Sequence, residues 1–209
     1  MLDTIVRFFQ QGGGFMFAIL GVLVISIAIM IERFIYLSVK NRIDEVAFVN
    51  RILDFIQKGQ VSSAIEYCNM SKAALPQITK AGLEEFGKSP ADIQNALELA
   101  AMSEIPKLEK RTPYLSMFAN VATLLGLLGT IFGLINSFEA VASADASQKA
   151  TLLSAGISVA MNTTAFGLIA AIPALIGYSY LQEKTNELID SINENVARIY
   201  RRMVSAGRN

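Results

Sequence analysis

The chain has 209 residues, 53% hydrophobic and 17% charged, with 18 basic and 18 acidic side chains and a formal net charge of zero. It has no His and one Cys, Cys68, so one copy cannot assemble a Ser-His or Cys-His catalytic pair, the usual zinc ligand sets or an internal disulfide. There is no basic run to attract nucleic acid and no Gly-rich nucleotide loop, so the composition predicts neither an enzyme nor a bound cofactor.

The charges are excluded from three windows, residues 11–31, 112–138 and 150–182. Uncharged apolar stretches longer than about 18 residues read as membrane-spanning helices. The expected fold is an all-α integral membrane protein with three transmembrane helices and a helical cytoplasmic domain. Its long second and third helices are expected to extend into the cytoplasm. In chain order the expected segments are an outer N-terminus (1–14), a first span (15–38) and a cytoplasmic helical domain (39–111). A second span (112–138), an outer loop (139–150), a third span (151–182) and a cytoplasmic C-terminal helix (183–209) follow.

The first window lacks the basic start and small-residue cleavage site of a secretory leader, so it is expected to stay as a span, with Glu32-Arg33 at its end. Lys and Arg mark the cytoplasmic side. Eleven lie in 32–111 and five in 183–209, whereas the other two segments hold only Arg7 and Lys149. The N-terminus and the short loop are therefore expected outside, with the large segment and the tail inside.

Within that segment Ile43, Val46, Val49, Ile52, Leu53 and Ile56 recur at helical spacing up to Gly59. Ser89-Pro90 supplies an N-cap and a first-turn Pro for a helix whose Ile93, Leu97, Ala101, Ile105 and Leu108 share a face, with Pro106 as a candidate kink. In the tail Leu181, Leu188, Ile192, Ile199 and Met203 come close to a seven-residue repeat. Such a stripe predicts packing against neighbouring copies, the alternative being a helix folded onto its own subunit. Glu84-Glu85 reads as a solvated face.

Polar side chains are distributed unequally among the spans. The first has only Ser26. The second has Asn120, Thr123, Thr130 and Asn136 with Gly126, Gly129 and Gly133; the third has Ser154, Ser158, Asn162, Thr163 and Thr164 with Gly156, Gly167 and Pro173. Polar groups in hydrocarbon need partners or water, so these residues either seal helix interfaces or line an ion path. Gly129 and Gly133 form a small-xxx-small pair that permits close helix approach. A proton relay needs a titratable group within the membrane, yet none lies between Arg111 and Glu139 or between Lys149 and Glu183. If ions pass, a partner must bring the carboxylate, with hydroxyl and carbonyl oxygens of this chain around it.

The run Ala119–Ile135 (ANVATLLGLLGTIFGLI) resembles the second-span signature of the MotA/TolQ/ExbB channel family, and Thr163–Pro173 (TTAFGLIAAIP) resembles its third-span signature. Glu32-Arg33 and the three-span plan resemble the ExbB/TolQ branch. The resemblance implies the bacterial inner membrane and a homopentamer around an ExbD/TolR-like single-span partner whose membrane Asp carries the ion. It further implies that ion flow does mechanical work on the envelope, with a TonB- or TolA-like protein as a further partner. The family's channel threonines map onto Thr130 and Thr164. Val159 stands where those relatives commonly have Glu, and Thr123 where they usually have Pro. The Thr163-Thr164 pair is similar to sodium-coupled members, so sodium and protons both remain candidates, with a transient Na+ at Thr130, Thr163 and Thr164.

The residues expected to carry function are thus Thr130, Thr163, Thr164 and Asn162 in the ion path. Gly126, Gly129, Gly133, Gly167 and Pro173 are expected in packing or as hinges. The expected function is an ion-channel subunit converting proton or sodium motive force into work on the cell envelope. The alternative is a membrane scaffold that does not conduct.

Overall fold

The computed structural model describes residues 13–41 and 43–207. Segment 1–12, which holds most of the expected outer N-terminus, lies outside the described residues, as do Arg42 and the last two residues of the expected C-terminal helix, 208–209. Helix α1 spans Gly14–Ile35 and passes into a π-helical turn, Tyr36–Lys40. Then come α2 (Glu45–Gln57), α3 (Val61–Asn69), α4 (Ala74–Glu84), α5 (Pro90–Glu109), α6 (Thr112–Ala142) and α7 (Lys149–Ala206). No strand occurs among the described residues. The stretches Gly14–Lys40, Pro90–Ala142 and Lys149–Ala206 are long and apolar enough to cross a membrane. The chain divides into two units, 1–31 with 111–180 and 32–110 with 181–209.

In the first unit the buried cluster is mostly alanine, and many large apolar side chains face outward. Ala119 and Ala122 of α6, Ala170, Ala171 and Ala174 of α7 and Ile19 of α1 form its buried cluster, with Val22, Leu23, Leu125 and Phe166 against it. Phe17, Val24, Leu124, Phe138, Met161 and Ile176 are exposed. Hydrocarbon gives apolar side chains no reason to leave it, so helices associate there by close packing of small residues. The connection between α6 and α7 is shorter than expected, 143–148, because α6 runs on to Ala142 and α7 starts at Lys149. Glu139 is therefore helical.

The second unit has the opposite arrangement. Val49, Ile52 and Ile56 of α2, Cys68 of α3, Ile78 and Leu83 of α4, and Leu97 and Leu108 of α5 share one core with Ile192, Ile199 and Met203 of α7. The seven-residue stripe of the tail thus packs on its own subunit. Helices α2 to α4 are short, and the long α7 supplies the apolar wall that closes the core they form with α5. Asp44 caps α2 by accepting from the Ala47 amide at 2.9 Å, and Ser89 with Asp92 forms a capping box on α5. Gly59 takes a φ of 68° just past α2.

Helix α5 continues through Pro106, and the break comes at Lys110–Arg111, where Arg111 has a φ of 68°. Arg33 holds this end of α5. Its guanidinium donates to the carbonyls of Lys107 (3.4 Å) and Leu108 and stacks 4.8 Å from the Tyr36 ring. The last carbonyls of a helix lack intrahelical donors, and a buried Arg is a geometric match for two of them.

Candidate ion-pathway site

The glycines of α6 bring its backbone against α7. A Cβ on Gly126 would stand 3.1 Å from the Thr163 carbonyl oxygen and 3.2 Å from the α-carbons of Thr164 and Gly167. On Gly133 it would stand 3.1 Å from the Ala160 methyl, and on Gly167 it would stand 2.8 Å from the Ala122 carbonyl oxygen. Further along, Ser137 occupies the space a Cβ on Gly156 would need, while its hydroxyl donates to the Gly133 carbonyl at 2.6 Å. The contact line therefore leaves no room for an ion between α6 and α7 of one chain.

Four oxygens converge at the middle of this seam. The Thr130 and Thr164 hydroxyls touch each other across the two helices. Thr130 reaches the carbonyls of Gly126 (3.1 Å) and Ala160 (3.2 Å), and Thr164 reaches that of Gly126 (3.1 Å). Each hydroxyl has a single proton to donate. The two protons can be distributed over these contacts in more than one order, and in each order oxygen lone pairs remain for a passing ion or water.

The pair lies on the side of the hairpin away from α1. Phe132, two positions after Thr130, has its ring 5.5 Å from Phe15 of α1, and Phe166, two positions after Thr164, packs into the α1 cluster. Two residues turn a helix by roughly 200°, so both threonines point the other way, and both are half-buried.

The remaining expected site residues fall elsewhere. Thr163 is 1% exposed, packs against Gly129 and donates to the Ala160 carbonyl at 2.7 Å, so its hydroxyl is committed within the seam. Asn162 is half-buried and its side chain makes no hydrogen bond among the described residues. Standing two positions from Thr164, it is on another side of α7. Pro173 is exposed and α7 runs through it. Ala160 and Ser137 also belong to the seam, and small residues at 156, 160 and 167 give the spacing that finds Ala160.

The uncharged stretches 112–138 and 150–182 that carry this cluster hold no carboxylate, so its oxygens can solvate a cation or orient water but cannot take up a proton at ordinary pH. Cys68 lies in the other unit, where burial pushes its thiol up to about 12.

Residues 70–194 match the MotA/TolQ/ExbB proton channel family. The chain is 40% identical over 95 residues to the Tol-Pal system protein TolQ of Haemophilus influenzae, covering 44% of this chain and 40% of that one. It is 34% identical over 128 residues to the TolQ of Pseudomonas aeruginosa, covering 56% and 55%. The chain thus spans about half or less of these two relatives. A putative biopolymer transport protein of Synechocystis, ExbB-like 3, is 27% identical over 191 residues, covering 86% of this chain and 90% of that one.

Proposed function

We propose a function from the premise that this chain belongs to the MotA/TolQ/ExbB proton channel family: it is the channel subunit of a membrane complex that couples ion flow to work on the cell envelope. The observation that carries the reading is the Thr130–Thr164 oxygen cluster within the stretches 112–138 and 150–182, which hold no carboxylate. The missing acid comes from an ExbD- or TolR-like single-span partner, whose Asp is neutralised beside the threonines and released again. Several copies of this chain, five in the arrangement the family resemblance implies, surround that partner and turn their α1-distal faces toward it. The complex sits in the inner membrane with the N-terminus and residues 143–148 outside; the Lys and Arg bias of 32–111 and 183–209 supports that orientation.

The ion is a proton. Sodium would need several oxygen ligands around a bare cation, and the Thr163 hydroxyl that could add one is bonded to Ala160 and packed on Gly129. Envelope work should therefore continue in sodium-free medium and stop on addition of a protonophore. Work that stops when sodium alone is withdrawn would overturn the proton reading.

A further inference from the structure

The α1-distal face of α6 differs on the two sides of the threonine pair. Residues 120, 123, 127 and 130 recur at helical spacing and share a face. Leu125, two positions past Thr123, packs into the α1 cluster, which places Thr123 on the side away from α1. Between Thr130 and the N-terminal end of α6 this face carries Asn120 and Thr123. Both are exposed. The Asn120 side chain makes no hydrogen bond among the described residues, and Thr123 donates to the Ala119 carbonyl at 3.1 Å, which leaves its oxygen lone pairs outward. On the other side of the pair α6 carries apolar Leu134 and also Ser137, which is buried with its hydroxyl donated to the Gly133 carbonyl, while α7 carries Ile157 and Met161 together with exposed Ser154 and Ser158. Lipid offers an unpaired carboxamide no hydrogen bond, whereas water does.

We propose that Asn120 and Thr123 line a hydrated half-channel joining the Thr130–Thr164 pair to the N-terminal end of α6. The inference rests on the reading of that pair as the ion site. Asn120 is the gatekeeping residue of the track, because its amide can both donate to and accept from water in file. Thr123 carries the file past the one turn where Leu127 intervenes.

The test uses the full chain in membrane vesicles together with its native partners. Asn120→Cys, Thr123→Cys, Leu134→Cys and Val24→Cys are each exposed to a permanently charged, water-borne methanethiosulfonate reagent. Only a hydrated thiol ionises and reacts, so Asn120→Cys and Thr123→Cys should label at least ~100-fold faster than the other two, the contrast expected between water and hydrocarbon. Native Cys68 stays in place, being buried and raised to about 12. Asn120→Leu should lower ion flux roughly tenfold or more, the effect of about 1.4 kcal/mol on a barrier, while Asn120→Gln keeps it. Labelling of Asn120→Cys and Thr123→Cys no faster than Val24→Cys overturns the half-channel, as does undiminished flux in Asn120→Leu. If Asn120→Leu does not assemble, the labelling rates decide alone, since those variants keep a small polar side chain. Undiminished flux in Thr164→Val with fast labelling would instead remove the ion-site reading.

Discussion

Gly129 and Thr163 set how closely α6 and α7 approach: a Cβ on Gly129 would stand 2.9 Å from both Cβ and Oγ1 of Thr163. The same approach puts Thr164, the next residue of α7, within contact of Thr130. Packing and chemistry are thus linked through one turn of each helix.

Gly129→Ala should consequently separate the helices and break the Thr130–Thr164 contact. Overpacking of this kind costs about 1–3 kcal/mol, measurable as a lower melting temperature of the purified chain in detergent. Gly21 of α1, with nothing within 4 Å of its would-be Cβ, is the control. Gly21→Ala should leave the melting temperature unchanged or raise it, because Ala is the better helix former.

Arg33→Gln should loosen the end of α5. Two carbonyls, those of Lys107 and Leu108, would lose a charged donor, and hydrogen bonds to charged groups contribute about 1.5–3 kcal/mol each way of counting them. Arg33→Lys should recover only part of the loss, since a lysine cannot serve both carbonyls in plane and stack on Tyr36. Hydrogen exchange of the amides at 106–111 would read the change; exchange equal to that of the unaltered chain would contradict it.

Cys68 makes the second unit alkali-sensitive. Its thiol is raised from 9.0 to about 12 by burial, so below pH 9 both folded and unfolded chains hold the proton and nothing is lost. Between pH 9 and about 12 the unfolded chain gives up its proton first, and stability falls by up to ~1.4 kcal/mol per pH unit from this group. Denaturant unfolding at pH 8 and pH 10 should show a steeper alkaline loss for the unaltered chain than for Cys68→Ala. Equal slopes would contradict the burial argument.

Much of the fold was legible because hydrocarbon excludes charge: the uncharged residues 14–31, 112–138 and 150–182 lie in the three helices long enough to span. The glycine seam was legible at Gly129 and Gly133 for a similarly local reason. What depended on azimuth was not. Asn162 was grouped with Thr163 and Thr164 by adjacency in sequence, yet neighbours on a helix point roughly 100° apart, and only Thr164 meets Thr130. The tail showed a different limit. A seven-residue repeat marks a buried stripe without saying which polypeptide buries it, and Ile192, Ile199 and Met203 enter their own chain's core. The Arg33 clamp on Leu108 joins residues 75 positions apart, a pairing no local pattern encodes.

The most direct measurement of the central claim is ion flux through the complex purified by way of this chain and reconstituted in liposomes with a pH-sensitive dye. Thr164→Val keeps the side chain's shape and removes its hydroxyl. It should assemble normally and conduct at least roughly tenfold less than the unaltered complex, a barrier increase of about 1.4 kcal/mol, while Thr164→Ser should stay close to it. An assembled Thr164→Val complex that conducts as the unaltered one does would contradict the account.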